Sequence, residues 1–204
     1  MAIKTVYNGG YLNFPADLKT KKKSAVDKFT AENRDEINYH IFLQYVFFMQ
    51  WERIKKFANS LGIKIIGDLP IYVNMDSSDF WSHKELFKLK ETGEPESVSG
   101  VPPDYFSPDG QLWYNPIYNY EYLKQTNYDW WVKRVKHLEN LFDSLRIDHF
   151  RGFVYYWAVP YGSKTAKHGK WVKTNAGDLF TQINKNTKME IFVEDLGVMD
   201  APTK

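Results

Sequence analysis

Leu145-Arg146-Ile147-Asp148-His149-Phe150-Arg151-Gly152 contains a short apolar run that ends on an acid, and this pattern is the strongest indication of the fold in the sequence. A second stretch, Ile191-Phe192-Val193-Glu194-Asp195-Leu196-Gly197, repeats this form. An acid at the end of a buried parallel strand is typical of the C-terminal rim of a (β/α) barrel. We therefore expect Asp148 and Glu194 at the tips of two parallel strands.

The segments around these stretches alternate between helical and strand patterns. Apolar residues recur at spacings of three and four over 37–60, which predicts a helix, and Gly62 supplies a left-handed exit from it. The nearly continuous apolar run 63–73 predicts a strand buried on both faces. The remaining predicted elements are a helix at 130–143, a strand at 145–150, a helix at 176–186 and a strand at 190–193.

Two parts of the chain lack strong periodicity. Residues 74–128 are rich in Pro, Gly, Asn, Asp and aromatics and are predicted to form a loop-rich lid over the strand ends. Residues 152–174 are expected to be an aromatic-rich excursion. The three predicted strands are too few to close a barrel, which needs about eight. The chain is then either a piece of a larger barrel or a small open sheet of another α/β type.

Composition narrows the function classes. The 204 residues contain 27 Lys and Arg against 25 Asp and Glu, so no strongly basic surface indicates a nucleic-acid partner. No cysteine is present, which excludes thiolate chemistry and fits a reducing compartment. No apolar run is long enough to cross a membrane, and the histidines show no metal-ligand spacing. We expect a cytoplasmic protein with no membrane partner.

The two acids match the needs of retaining glycoside chemistry. That chemistry uses a carboxylate nucleophile and a carboxylic acid about 5 to 5.5 Å apart. Arg146 lies on the same strand face as Asp148, and its guanidinium is expected to lower the pKa of Asp148. Burial and a nearby carboxylate are expected to keep Glu194 protonated. These patterns favour a glycosidase-type enzyme, but buried structural ion pairs have similar sequences, and spacing alone leaves both interpretations open.

The aromatics of the 74–128 segment favour a sugar groove. Aromatic rings stack on the apolar faces of pyranose rings, and neighbouring polar side chains bind the hydroxyls. The residues concerned are Tyr105, Phe106, Trp113, Tyr114, Tyr118 and Tyr120. The alternative is that some of them pin the long loop to the barrel. For Tyr118, Tyr120 and Tyr122 we favour that alternative.

A series of motifs resembles one known family. The matching stretches are QYVFFMQW (44–51), GDLPIYV (67–73), GVPPDYFS (100–107), WYNP (113–116), RIDHFRG (146–152) and VEDLG (193–197). In this order they resemble the 4-α-glucanotransferases of the amylomaltase or disproportionating-enzyme type, glycoside hydrolase family 77. The resemblance implies an α/β fold: a partial (β/α)8 TIM barrel, about strands 3–5, with a long loop-rich insertion after the first of these strands. It further implies an N-terminal connecting segment at 1–36, the partial catalytic barrel at 37–204 and the insertion at 74–128.

The same resemblance implies roles for individual residues. Asp148 takes the place of the nucleophile, Glu194 that of the general acid/base, and Arg146 that of the residue that orients and ionises Asp148. The loop 100–107 resembles the mobile loop over the donor groove, and Asp195 resembles a residue that holds sugar hydroxyls. The implied substrate-binding residues are Asp68, Asp104, Tyr105, Phe106, Trp113, Asn115, Arg146 and Asp195.

The implied reaction is the transfer of α-1,4-glucan segments to an acceptor glucan or glucose, by double displacement with retention and without a cofactor. The implied partners are maltooligosaccharides, starch and glycogen. The family's third catalytic carboxylate, in a Thr-His-Asp motif, has no counterpart in this sequence. The chain therefore resembles a middle segment of the family's fold. The alternatives are a non-catalytic α-glucan-binding fragment or an α-amylase-like hydrolase.

Overall fold

Two β-sheets organise the computed structural model, which describes residues 1–174 and 176–194. The first sheet has three parallel strands in the order β1-β4-β7. The second has four antiparallel strands in the order β3-β2-β5-β6. The strands are β1 (Ile66–Leu69), β2 (Ser97–Val101), β3 (Gln111–Pro116), β4 (Ser144–Ile147), β5 (Tyr155–Pro160), β6 (Lys170–Lys173) and β7 (Glu190–Val193).

Eight α-helices accompany the sheets in the described residues. They are α1 (Ala2–Val6), α2 (Ala16–Lys19), α3 (Lys23–Glu32), α4 (Arg34–Ser60), α5 (Ser78–Ser82), α6 (Tyr120–Gln125), α7 (Asp129–Leu138) and α8 (Gly177–Asn186). Short 3-10 helices cover Tyr11–Asn13, Lys84–Leu86 and Phe150–Phe153. None of the described helices combines the length and the apolar character that crossing a bilayer requires.

The parallel sheet confirms the three strands predicted from apolar runs. β1 and β4 pair from Ile66 with Ser144 to Leu69 with Ile147, and β7 pairs with the other side of β4. Each strand has four residues, so the runs predicted at 63–73 and 145–150 overestimate its length. β4 is the most buried of the three, and its residues Leu145 and Ile147 are almost completely buried. The carboxyl ends of all three strands therefore lie at one edge.

The helices between these strands also follow the predictions. α4 begins at Arg34, three residues before the predicted start, and ends at Ser60, after which Gly62 has a φ of +76°. α8 begins one residue after its predicted start. α7 ends at Leu138, so the helix predicted to continue to residue 143 stops one turn early. The apolar Phe142 lies beyond the helix and packs against the main core.

The antiparallel sheet was not predicted. Its strands β2 and β3 lie within 74–128, expected to be loop-rich, and β5 and β6 within the expected excursion at 152–174. The described residues therefore contain four strands in addition to the three predicted. Ser97 pairs with Pro160, more than sixty positions away. The pattern of residues within a short segment therefore cannot reveal the strand that stabilises β2.

One aromatic core joins the two sheets. Trp131, Tyr118 and Leu145 are fully buried in it, and the hydroxyl of Tyr118 donates a hydrogen bond to the carbonyl of Ile71 at 3.0 Å. Tyr118 thus ties the inserted segment to the chain after β1, and the buried Tyr120 donates to the carbonyl of Gly152, after β4, at 3.5 Å, as predicted for residues that pin the loop. This packing places the antiparallel sheet beside the edge where the parallel strands end.

Candidate active site

The ends of the parallel strands bring four charged side chains together. Asp68 in β1 stands opposite Arg146 in β4, because the strand register pairs these two residues. Asp148 directly follows β4, and its N–H donates to the carbonyl of Leu69 at 3.1 Å. Glu194 directly follows β7, and its N–H donates to the carbonyl of Ile147 at 3.1 Å. The backbone ladder therefore extends one residue past each strand and fixes both acids at the same edge.

Arg146 is the centre of this group. Its Nε and Nη2 donate to the two oxygens of Asp68 at 3.0 and 2.7 Å. Its Nη1 donates to Oε1 of Glu194 at 3.2 Å, and Nη2 lies 3.6 Å from Oδ1 of Asp148. A fork-shaped guanidinium that binds one carboxylate with two bonds is oriented as well as charged. Arg146 thus holds three carboxylates within reach of one another.

Asp148 and Glu194 share a hydrogen bond, and this bond governs their protonation. The bond to Glu194, together with desolvation and the charge of Glu194, raises the pKa of Asp148 to about 6. The same bond, with the N–H of His149 and the charge of Arg146, lowers the pKa of Glu194. We expected the opposite directions for both acids. The reason is that Arg146 directs its two shortest bonds at Asp68, so it stabilises the ionised form of Asp148 less than the neighbouring acid destabilises it.

His149 is a site residue that the sequence reasoning missed. Its φ of +51° is left-handed, and in this conformation its N–H donates to Oε2 of Glu194 at 3.1 Å. Its imidazole packs edge-on against the ring of Trp113, with centroids 4.8 Å apart, and burial lowers the pKa of His149. A left-handed backbone at a non-glycine residue leaves no signal in the sequence beyond its position after Asp148.

Trp113 and Asn115 lie on β3, on either side of Tyr114, whose φ of +64° interrupts the regular alternation of the strand. Trp113 also contacts the ring of Tyr72, with centroids 6.2 Å apart, and its Nε1 donates to Oε1 of Gln111 at 3.1 Å. Through His149, Trp113 is joined to the acids at the strand ends. Asn115 is half-buried beside it.

The loop after β2 stands apart from the acids. Oδ1 of Asp104 accepts the N–H groups of Phe106 and Ser107 at 2.9 and 2.7 Å, so this carboxylate closes its own turn. The side chains of Tyr105 and Phe106 are 95% and 91% exposed and contact each other edge-on. The structure therefore presents both rings to solvent and does not bring them onto the carboxylate cluster. Asp195, the remaining predicted site residue, lies outside the described residues.

The donors at this edge do not form a metal site. Within residues 1–174 and 176–194, no group of three or more His, Asp or Glu side chains is arranged to hold a metal ion. Arg146 occupies the space between the carboxylates, and its charge takes the place a cation would fill. The cluster can instead bind a proton between two carboxyl groups and place both against one substrate bond.

Comparison with known proteins identifies the family. The family model described as 4-alpha-glucanotransferase, glycoside hydrolase family 77, matches residues 1–203. The 4-alpha-glucanotransferase of Clostridium butyricum is 50% identical over 206 residues, covering 100% of this chain and 42% of the relative. That of Aquifex aeolicus is 44% identical, covering 97% of this chain and 41% of the relative. The chain thus spans about two fifths of the length of these relatives.

Solved structures agree in fold. The amylomaltase from Streptococcus agalactiae in complex with acarbose superimposes with a TM-score of 0.95 at 40% identity, over 99% of this chain and 41% of that one. The amylomaltase from Corynebacterium glutamicum gives a TM-score of 0.70 at 20% identity, which shows a shared mixed α/β fold alone. With the family model matched along almost the whole sequence, this chain belongs to the 4-alpha-glucanotransferase family, glycoside hydrolase family 77.

Proposed function

We propose that the protein transfers segments of α-1,4-glucan to an acceptor glucan or glucose, with Asp148 as nucleophile and Glu194 as general acid/base. The observation that carries this proposal is the convergence of the two acids on Arg146 at the ends of neighbouring parallel strands. The named activity of the relatives supplies the reaction type. The acarbose complex of the S. agalactiae enzyme supports an oligosaccharide as the ligand class.

The reaction proceeds in two displacements. Asp148 attacks the anomeric carbon while the proton of Glu194 passes to the departing glycosidic oxygen, leaving a glycosyl ester on Asp148. Glu194, now ionised, removes the proton from a hydroxyl of the acceptor, whose oxygen attacks the same carbon and releases Asp148. The configuration at the anomeric carbon is inverted twice and so retained. Only carboxyl groups and sugar hydroxyls take part.

Binding of the sugar must separate the two acids. They share a hydrogen bond here, whereas retaining chemistry places the two carboxyl groups about 5 to 5.5 Å apart. Insertion of a glucosyl unit breaks that bond. Asp148 is then stabilised as the carboxylate by Arg146, and the shared proton, which lies on Asp148 in the free protein, passes to Glu194. The substrate thereby creates the protonation states that the first step needs.

We further propose that β1, β4 and β7 are about the third to fifth strands of an eight-stranded (β/α)8 barrel. Residues 37–204 would belong to that barrel, residues 74–128 would be its insertion, and residues 1–36 would connect to it. The edge strands β1 and β7, each paired on one side only among the described residues, support this proposal. We place the protein in the cytoplasm, on the basis of its cysteine-free sequence.

Conservative replacement of each acid tests the function on the whole protein. Asp148→Asn is expected to reduce disproportionation of maltotriose by roughly 10⁴-fold or more, because no covalent ester can form. Glu194→Gln is expected to spare α-glucosyl fluoride, whose leaving group needs no proton, far more than maltotriose. The exposed Asp27→Asn, in α3, serves as the control.

The products distinguish the outcomes. Longer maltodextrins together with glucose support the transferase. Glucose without longer products would instead indicate an α-amylase-like hydrolase, and binding without products a glucan-binding fragment. Near-normal turnover of Asp148→Asn would exclude Asp148 as the nucleophile.

A further inference from the structure

Close to the acids, a guanidinium lies over an exposed indole. Cζ of Arg151 is 4.6 Å from the ring centroid of Trp171. Arg151 belongs to the 3-10 helix three residues after Asp148, whereas Trp171 lies on β6, the edge strand of the antiparallel sheet. The charge of Arg151 also acts on the imidazole of His149. The contact therefore connects the antiparallel sheet to the neighbourhood of the acids.

The hydrogen-bond donors of Arg151 are unused within the described part of the chain. Its Nε is buried and has no hydrogen-bond partner, and its guanidinium makes no ion pair there. A guanidinium carries five N–H donors, and a buried donor without a hydrogen-bond partner is unfavourable. The cation–π contact holds the guanidinium beside the indole, so that one ligand can contact both groups. Such a group is suited to bind ligand oxygens.

Trp171 is the most exposed of the seven tryptophans, all of which lie in the described residues. This residue is 41% exposed. Trp157 supports it edge-on, with ring centroids 5.3 Å apart. Trp157 is itself fixed, because its Nε1 donates to the carbonyl of Ala166 at 2.8 Å and Gly169 packs directly against it. Trp171 is therefore a rigid aromatic surface that remains open to solvent.

A pyranose matches both parts of this surface. Its apolar C–H face stacks on an indole, and the hydroxyls around its rim accept hydrogen bonds from a guanidinium. A small anion would use Arg151 and leave the indole without a partner. We propose that Arg151 and Trp171 form a glucan-binding site that holds one glucosyl unit of a maltooligosaccharide. The choice of sugar rests on the proposed function.

Binding of maltoheptaose to the whole protein tests this site. Titrations in an Asp148→Asn background prevent turnover and follow the indole N–H signal of Trp171 by NMR. We expect that signal to shift, and Trp171→Ala or Arg151→Gln to weaken maltoheptaose binding by about 5-fold. Trp171→Phe should retain part of the affinity. Asp27→Asn, at an exposed carboxylate in α3, is the control and should bind as the parent does.

Each outcome separates this inference from the proposed function. Unchanged maltoheptaose affinity in both folded variants, judged by circular dichroism, overturns the site while Asp148→Asn still reports on transfer. If Trp171→Ala does not fold, Arg151→Gln decides the question. A shift of the Trp171 signal by inorganic phosphate but not by maltoheptaose overturns the assignment to a glucan. If Asp148→Asn remains an active transferase, the proposed nucleophile is wrong, but the binding result at Trp171 stands.

Discussion

At the scale of single residues, Arg146 sets the geometry and Asp148 and Glu194 share the proton. Two interacting carboxyl groups titrate as a pair, so the pKa of about 6 describes the loss of the last proton from the pair. The proposed first step needs one ionised carboxyl group and one protonated carboxyl group. Between the lowered pKa of Glu194 and about pH 6, the pair therefore holds one proton, which is the state that the first step requires.

This proton count predicts the pH dependence of the reaction. For maltotriose, kcat/KM should fall as the pH rises through about 6, because the pair loses the proton that the leaving group requires. It should also fall in acid, where both groups are protonated and no nucleophile is ionised. The measurement is kcat/KM against pH in the whole protein, which is expected to give a bell-shaped curve.

Glu194→Gln with α-glucosyl fluoride is the matched control for the pH profile. This leaving group needs no proton, and the variant retains one carboxyl group, so its rate should rise with pH to a plateau without an alkaline decline. A persistent decline above pH 6 in this variant would show that another group causes it.

At the scale of elements, the packing of β1 depends on a glycine. A Cβ built on Gly67 would lie 2.2 Å from the ring of Phe142, four residues after the end of α7. Phe142 is in turn packed edge-on against Trp51 of α4, with centroids 6.0 Å apart. Gly67 therefore permits the close approach of β1 to Phe142, which joins this strand to α4.

Gly67→Ala is expected to lower the free energy of unfolding by about 1 to 3 kcal/mol, because the added methyl group overpacks this contact. Denaturant unfolding of the whole protein measures the change. The double variant Gly67→Ala with Phe142→Ala should be destabilised by less than the sum of the two single changes. Gly177→Ala, which meets nothing within 4 Å, is the control and should be nearly neutral. Strict additivity of the two changes would contradict the steric explanation.

At the scale of the whole molecule, α4 presents apolar side chains that the described residues leave uncovered. None of its 27 residues is buried. Its exposed large apolar residues are Tyr39, Ile41, Phe42, Leu43, Tyr45, Phe47, Ile54 and Phe57. The edge strands β1 and β7 are also unpaired on their outer sides in this part of the chain. Apolar patches and open edges of this kind favour association.

We therefore expect the 204-residue polypeptide, prepared alone, to elute with a mass above 24.1 kDa in size-exclusion chromatography with light scattering. Phe42→Glu with Phe57→Glu should shift it toward the monomer, because the charges disfavour burial of the helix face. Lys56→Glu, on the same helix, controls for charge alone. A strictly monomeric parent chain would contradict this expectation.

Local patterns in the sequence were enough to predict the order of the helices and parallel strands and the position of Asp148 and Glu194 at the strand ends. Apolar periodicity and a terminal acid are local properties, and α4, α8 and β7 follow them closely. The tertiary structure was needed to reveal the antiparallel sheet, because β2 and β5 acquire their backbone partners from distant segments. It also decided the protonation of the acids and the role of His149, since a pKa and a left-handed N–H depend on which groups surround them in space.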